Sequence, residues 1–188
     1  LYTPEHGLDG KEKAGIHVTS RRDPITGLPA YSLYGETRKP SPAMLANIDV
    51  MLFDLQDIGS RSYTYISTMA LAMEACAEQG KEFMVLDRPN PLGGVRVSGS
   101  PLDPKWKSFV GQIPVPYVHG MTAGEIAMMA CARGWVSRVP RLDVVKMQGW
   151  QRGMTWQDTG LRWHPTSPNI PHSISPFYYV TTGILGGA

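Results

Sequence analysis

Two short apolar runs bracket a helical repeat, and this leaves few folds open to the chain. Asp49-Val50-Met51-Leu52-Phe53-Asp54-Leu55 is apolar at nearly every position, and Phe83-Met84-Val85-Leu86 has the same character. Unbroken apolar runs of this length read as strands covered on both faces, the habit of parallel sheets. Between them Ile66, Met69, Ala70, Met73, Cys76 and Ala77 recur at helical spacing, and Gly80 stands where a left-handed residue closes a helix. Strand, helix and strand in that order form a right-handed βαβ crossover. The expected fold class is therefore α/β, a mostly parallel sheet with flanking helices.

The rest of the chain fits around this unit. Ser41 to Asn47 carries a short helix signal. Thr122-Ala123-Gly124-Glu125 has capping-box spacing, which predicts a helix running to Arg133 and stopped by Gly134. Leu142 to Met147 alternates like a half-covered strand at the sheet edge, and Phe177 to Leu185 reads as the start of a helix. Asn90 to His119 is rich in Pro and Gly and reads as loops, with one short hairpin, over the top of the sheet.

With 188 residues, 42% of them apolar, and a formal charge of +2, the sequence suits one compact domain over residues 1–188 and excludes disorder. The longest apolar run, Ile126 to Ala132, falls far short of the roughly 18 residues a membrane span needs. No block of Lys and Arg tracks a phosphate backbone, which argues against nucleic-acid binding. Cys76 and Cys131 lie in helical patterns without a paired Cys or His and read as inert thiols. The first residues show no targeting signal, and the chain reads as a fragment.

In open α/β sheets, ligands bind beyond the carboxyl ends of the strands. Asp54-Leu55-Gln56-Asp57-Ile58-Gly59-Ser60-Arg61 leaves the first strand and Asp87-Arg88-Pro89-Asn90-Pro91-Leu92-Gly93-Gly94 leaves the second. Thr3-Pro4-Glu5-His6-Gly7 fits a third such exit if a strand precedes Leu1. Plain structural roles compete at each place. Asp54 and Asp57 suit helix capping, Arg88 suits a clamp on a stiff loop, and His119 sits beside a helix start. Glu5-His6, held by Pro4 and Gly7, has little packing use, and a restrained carboxyl group is what proton transfer requires. Trp163-His164-Pro165-Thr166-Ser167-Pro168-Asn169-Ile170-Pro171 joins an aromatic face to amide groups, as sugar recognition demands, although Trp packing is the commoner fate. GxGxxG, GxxxxGK[ST], GxSxG and HExxH are absent, so no nucleotide cofactor, serine nucleophile or tightly held metal is expected.

These motifs, with Tyr31-Ser32-Leu33-Tyr34-Gly35, Tyr63-Thr64-Tyr65-Ile66 and His119-Gly120-Met121-Thr122, occur in one order along nearly the whole chain. In that order they resemble the NamZ-type exo-β-N-acetylmuramidases, glycoside hydrolase family 171, once catalogued as a domain of unknown function. The resemblance implies a Rossmann-like catalytic domain, with a C-terminal lid domain and an opening strand missing from this chain. It implies release of terminal N-acetylmuramic acid from the non-reducing end of peptidoglycan fragments, outside the cytoplasm of a bacterium. Glu5 takes the place of the family's favoured catalytic residue, with His6 beside it.

Glycoside hydrolysis usually needs a second carboxylate. Asp57, Asp54 and Asp87 are the candidates, in that order. The remaining binding candidates are Gln56, Arg61, Tyr63, Arg88, Asn90, His119 and Asn169, with Arg61 and Arg88 expected to read the lactyl carboxylate of muramic acid. A hydrolase of another bond in wall fragments, or a sugar-binding module without catalysis, are the competing readings.

Overall fold

A computed structural model describes residues 1–183. The parallel unit is present. β4 (Val50–Phe53), β5 (Glu82–Leu86) and β6 (Arg141–Val145) form a three-stranded sheet in that order, with Met51 opposite Phe83 and Phe83 opposite Leu142. α2 (Tyr65–Glu78) crosses from β4 to β5, and α3 (Ala123–Ala132) precedes β6. β6 lies at the edge, as its alternation predicts.

The caps form as their sequences require. After α2, the Lys81 amide donates to the Cys76 carbonyl at 2.8 Å and the Gly80 amide to that of Ala77 at 3.3 Å, with Gly80 at φ +62°. This is a Schellman closure. At α3, the Thr122 hydroxyl accepts the Glu125 amide and Glu125 accepts the Thr122 amide, completing the capping box. α1 (Pro42–Leu45) starts at Ser41, whose side chain accepts from the Met44 amide. α4 (Ser175–Thr182) matches the helix expected from Phe177, whose last residues lie outside the described part.

Two expectations need correction. β4 is not covered on both faces: Met51 and Phe53 are buried, while Val50 and Leu52 are 36% and 58% exposed. α2 and α3 pack on one side of the sheet, and none of the described helices covers the other. The second concerns the loop of Glu5. It leaves not a strand of this sheet but β1 (Tyr2–Thr3), which pairs in parallel with β3 (Pro29–Ser32). β2 (Arg21–Arg22) pairs antiparallel on the far side of β3, so these three short strands form a sheet of their own.

One apolar cluster joins the layers. Ile66, Met69 and Met73 of α2 meet Phe83 and Val85 of β5, Ile126 and Ala127 of α3, and Ile113, Val115 and Ile170 from the loops. Cys76 is buried within it, and burial pushes its thiol up to about 11, in line with an inert role. Trp163 is half-buried: it meets Trp156 edge to face, ring centroids 4.8 Å apart and planes at 89°, and donates to the Ile170 carbonyl. It is a packing residue here.

Candidate active site

Glu5 sits in the turn after β1, and both of its carboxylate oxygens are held. Oε1 accepts the Gly15 amide at 2.8 Å and Oε2 accepts the Thr64 hydroxyl at 2.7 Å. Thr64 is the residue that starts α2, yet its side chain caps nothing there. A hydroxyl that would ordinarily satisfy the helix end is given to Glu5 instead, which fastens the small sheet's loop to the large sheet's helix.

His6 follows at φ +74°, a left-handed conformation that a residue with a side chain seldom adopts. Its Nδ1 lies 2.8 Å from the Glu12 carbonyl oxygen. A carbonyl only accepts, so Nδ1 carries a proton and the neutral ring presents Nε2 as an acceptor. The ring stacks on Tyr63 and meets Tyr65 edge on. Both tyrosines then reach one residue: Tyr63 donates to the Thr166 hydroxyl and Tyr65 to the Thr166 carbonyl, each at 2.7 Å. Burial pushes the Tyr63 hydroxyl up to about 12, and that of Tyr65 up as well.

Asp57 is buried, and its charge acts on the Tyr63 and Tyr65 hydroxyls. Oδ2 accepts the Gly59 amide at 2.8 Å, while Oδ1 is enclosed without a partner among the described residues. His119 Nδ1 accepts the Met121 amide, so the proton of the neutral ring sits on Nε2, which faces Asp57 Oδ2 in a long, poorly aligned contact of 3.4 Å. Gly59, at φ +83°, has no room for a side chain, because a Cβ would strike the Asn90 amide group.

The other candidates gather elsewhere. A cavity of about 550 Å³ opens at the carboxyl ends of β4 and β5, lined by Asp54, Asp87 and Arg88 with Trp150, Trp156 and Leu161. Arg88 forms an exposed ion pair with Asp54 at 2.7 Å. Asp87 is fully engaged at the start of α3, accepting the Thr122 hydroxyl at 2.7 Å and the Gly124 amide at 2.8 Å. Gln56 and Asn90 stand between the two places. Gln56 donates to the carbonyls of Asp57 and Pro89, and Asn90 donates to Met121 and accepts from Leu92. Arg61 Nη1 is occupied by the carbonyls of Val115 and Ser100. Asn169 is exposed and joins neither group.

The structure thus groups Glu5 and His6 with Tyr63, Thr64 and Tyr65, pairs Asp57 with His119 close enough for the charges of Glu5 and Asp57 both to bear on the Tyr65 hydroxyl, and sets Asp54, Asp87 and Arg88 around the strand-end cavity. The sequence reading passed over Thr64, Tyr65 and Thr166, which hold the first group. It also passed over Tyr34, which adjoins Glu5, and Arg38, which lies over the Tyr34 ring. Burial, and next the charge of Glu5, raise the pKa of the Tyr34 hydroxyl, while Arg38 opposes the rise. The one available signal was the tyrosine spacing in Tyr63-Thr64-Tyr65.

Comparison with known proteins shows the family. The family model described as "Exo-beta-N-acetylmuramidase NamZ, N-terminal" matches residues 1–174. The chain is 50% identical over 187 residues to the peptidoglycan beta-N-acetylmuramidase NamZ of Bacillus subtilis, covering 100% of this chain and 45% of that protein. A crystal structure of a DUF1343 family protein from Bacteroides fragilis superposes with a TM-score of 0.90 at 53% identity, covering 99% of this chain and 47% of the other. A second DUF1343 protein from that organism gives a TM-score of 0.82 at 36% identity, covering 99% and 48%. The chain spans about half the length of the relatives it matches. Its α/β architecture is that of the N-terminal part of these proteins, and the chain belongs to the family of NamZ N-terminal domains.

Proposed function

We propose that the protein is an exo-acting β-N-acetylmuramidase, which hydrolyses the β-1,4 bond that joins a terminal N-acetylmuramic acid to the non-reducing end of a peptidoglycan fragment. The observation that carries this reading is the Glu5 carboxylate: buried, fixed at both oxygens by Gly15 and Thr64, and set in a chain half identical to a peptidoglycan β-N-acetylmuramidase. In this reading Glu5 moves the proton at the glycosidic oxygen. Asp57 is the second carboxylate, because Asp87 is committed to α3 and Asp54 to an exposed ion pair. His6, Tyr63 and Tyr65 pack together beside Glu5 and hold its surroundings in place. The substrate assigns the work to the wall, outside the cytoplasmic membrane.

The test is release of free N-acetylmuramic acid from a muramyl-glucosamine disaccharide by the full-length protein and its Glu5→Gln variant. A loss of at least about 10²-fold is expected, the share that a positioned proton donor supplies. A variant as fast as the parent removes Glu5 from the reaction, and a parent without turnover favours a binding module.

A further inference from the structure

Arg38 stands out among the arginines near the site. Its guanidinium lies 3.4 Å from the centroid of the Tyr34 ring and 4.8 Å from that of Phe109, held between two aromatic faces. Those rings are themselves packed at 5.8 Å. Nη1 of Arg38 is enclosed, yet it has no hydrogen-bond partner among the described residues. An enclosed guanidinium N–H without an acceptor is costly, and a water, an ion or a ligand oxygen is what satisfies such a group. Tyr34, buried beneath it, adjoins Glu5, so that acceptor would lie beside the reacting centre. Arg61 and Arg88 are differently placed, the first on two carbonyls and the second on Asp54.

We infer that Arg38, clamped by Tyr34 and Phe109, is the residue that reads the lactyl carboxylate of muramic acid and so sets the sugar specificity of the site. The inference rests on the muramidase reading above. A planar guanidinium fixed over a ring offers two parallel N–H groups to a carboxylate, and stacking removes the rotamer freedom that an exposed arginine would lose on binding. N-acetylglucosamine lacks the lactyl group and leaves Nη1 unpaired, so the device discriminates by the penalty as well as by the bond.

The experiment compares the muramyl-glucosamine disaccharide with its lactyl methyl ester, which keeps the shape and removes the charge. In the full-length protein the acid is expected to exceed the ester in kcat/KM by about 10²-fold, the size of a buried charge-assisted pair. Arg38→Met collapses that ratio to near one, and Arg38→Lys restores part of it. A parent that treats acid and ester alike overturns the inference, as does an Arg38→Met variant that keeps the parent's ratio. Should Arg38→Met fail to fold, the ratio in Arg38→Lys decides: unchanged preference overturns the assignment. If the parent hydrolyses neither compound, the muramidase reading fails by itself. Calorimetric binding of N-acetylmuramic acid against its methyl ester then judges Arg38 separately, with support from a preference for the acid that Arg38→Met abolishes and refutation from its absence.

Discussion

Thr64→Val keeps the shape of a buried side chain and deletes the hydroxyl that donates to Glu5 Oε2. A hydrogen bond to a charged group contributes about 1.5–3 kcal/mol, and the substitution is expected to lower unfolding stability by that order. The check is a shift of the urea midpoint at unchanged slope. Activity is expected to fall as well, since Oε2 is freed to rotate; a variant of full stability and full activity would show that Thr64 does not hold Glu5. Glu5 and His6 stand out in the sequence because a polar pair between Pro and Gly has little packing use. Thr64 and Arg38 do not, because a threonine before a helical run reads as an ordinary cap and a lone arginine as a solvated one. Only the fold shows the first giving its hydroxyl away and the second lying between two rings.

At the scale of elements, α3 carries the most connected start. Thr122 Oγ1 accepts the Glu125 amide and donates to Asp87 Oδ2, so one hydroxyl joins the helix to the end of β5. Thr122→Ala is expected to cost about 1–2 kcal/mol, the usual loss of a cap, seen as a lower melting temperature. Gly124→Ala tests the same junction by crowding. A Cβ there would lie 2.5 Å from Val144 Cγ1 and 2.8 Å from Asp87 Cγ, and forcing these apart costs about 1–3 kcal/mol. A stable Gly124→Ala protein would contradict the close approach of α3 to β6. The capping box and the closure at Gly80 were readable, since each rests on contacts within a few residues, and the crossover was readable because its two strands and its helix each carry their own apolar pattern. β2 and β3 were not: Arg21–Arg22 and Pro29–Ser32 are too short and too polar to show a period, and only their pairing partner makes them strands. Continuous apolar character misled at β4, where the run continues through residues that the described part leaves uncovered.

For the molecule as a whole, the tyrosines link packing to pH. Tyr2 and Tyr63 are each pushed up to about 12, chiefly by burial, whereas an unfolded chain releases these protons near pH 10. Between those values the folded state holds more protons than the unfolded one. Stability from these groups is therefore complete below pH 10 and is lost as the pH rises from 10 through 12. Absorbance at 295 nm should show some of the eight tyrosines ionising late, together with loss of structure. All of them ionising near 10 in a still-folded protein would refute the burial of Tyr63. The α/β class and its parallel pairing were legible from two apolar runs, but the division of the site was not. That division depends on a second small sheet carrying Glu5 to Thr64, a long-range meeting that no local pattern encodes.

The contact between Trp156 and Trp163 has an optical consequence. Two indoles fixed at 4.8 Å with perpendicular planes sit in one rigid asymmetric environment, which gives a near-ultraviolet circular dichroism signal that is lost once tertiary packing goes. Trp156 also lines the strand-end cavity, so its emission registers what enters there. With five tryptophans in the sequence, comparison with a Trp156→Phe variant isolates this gauge of both events without a label.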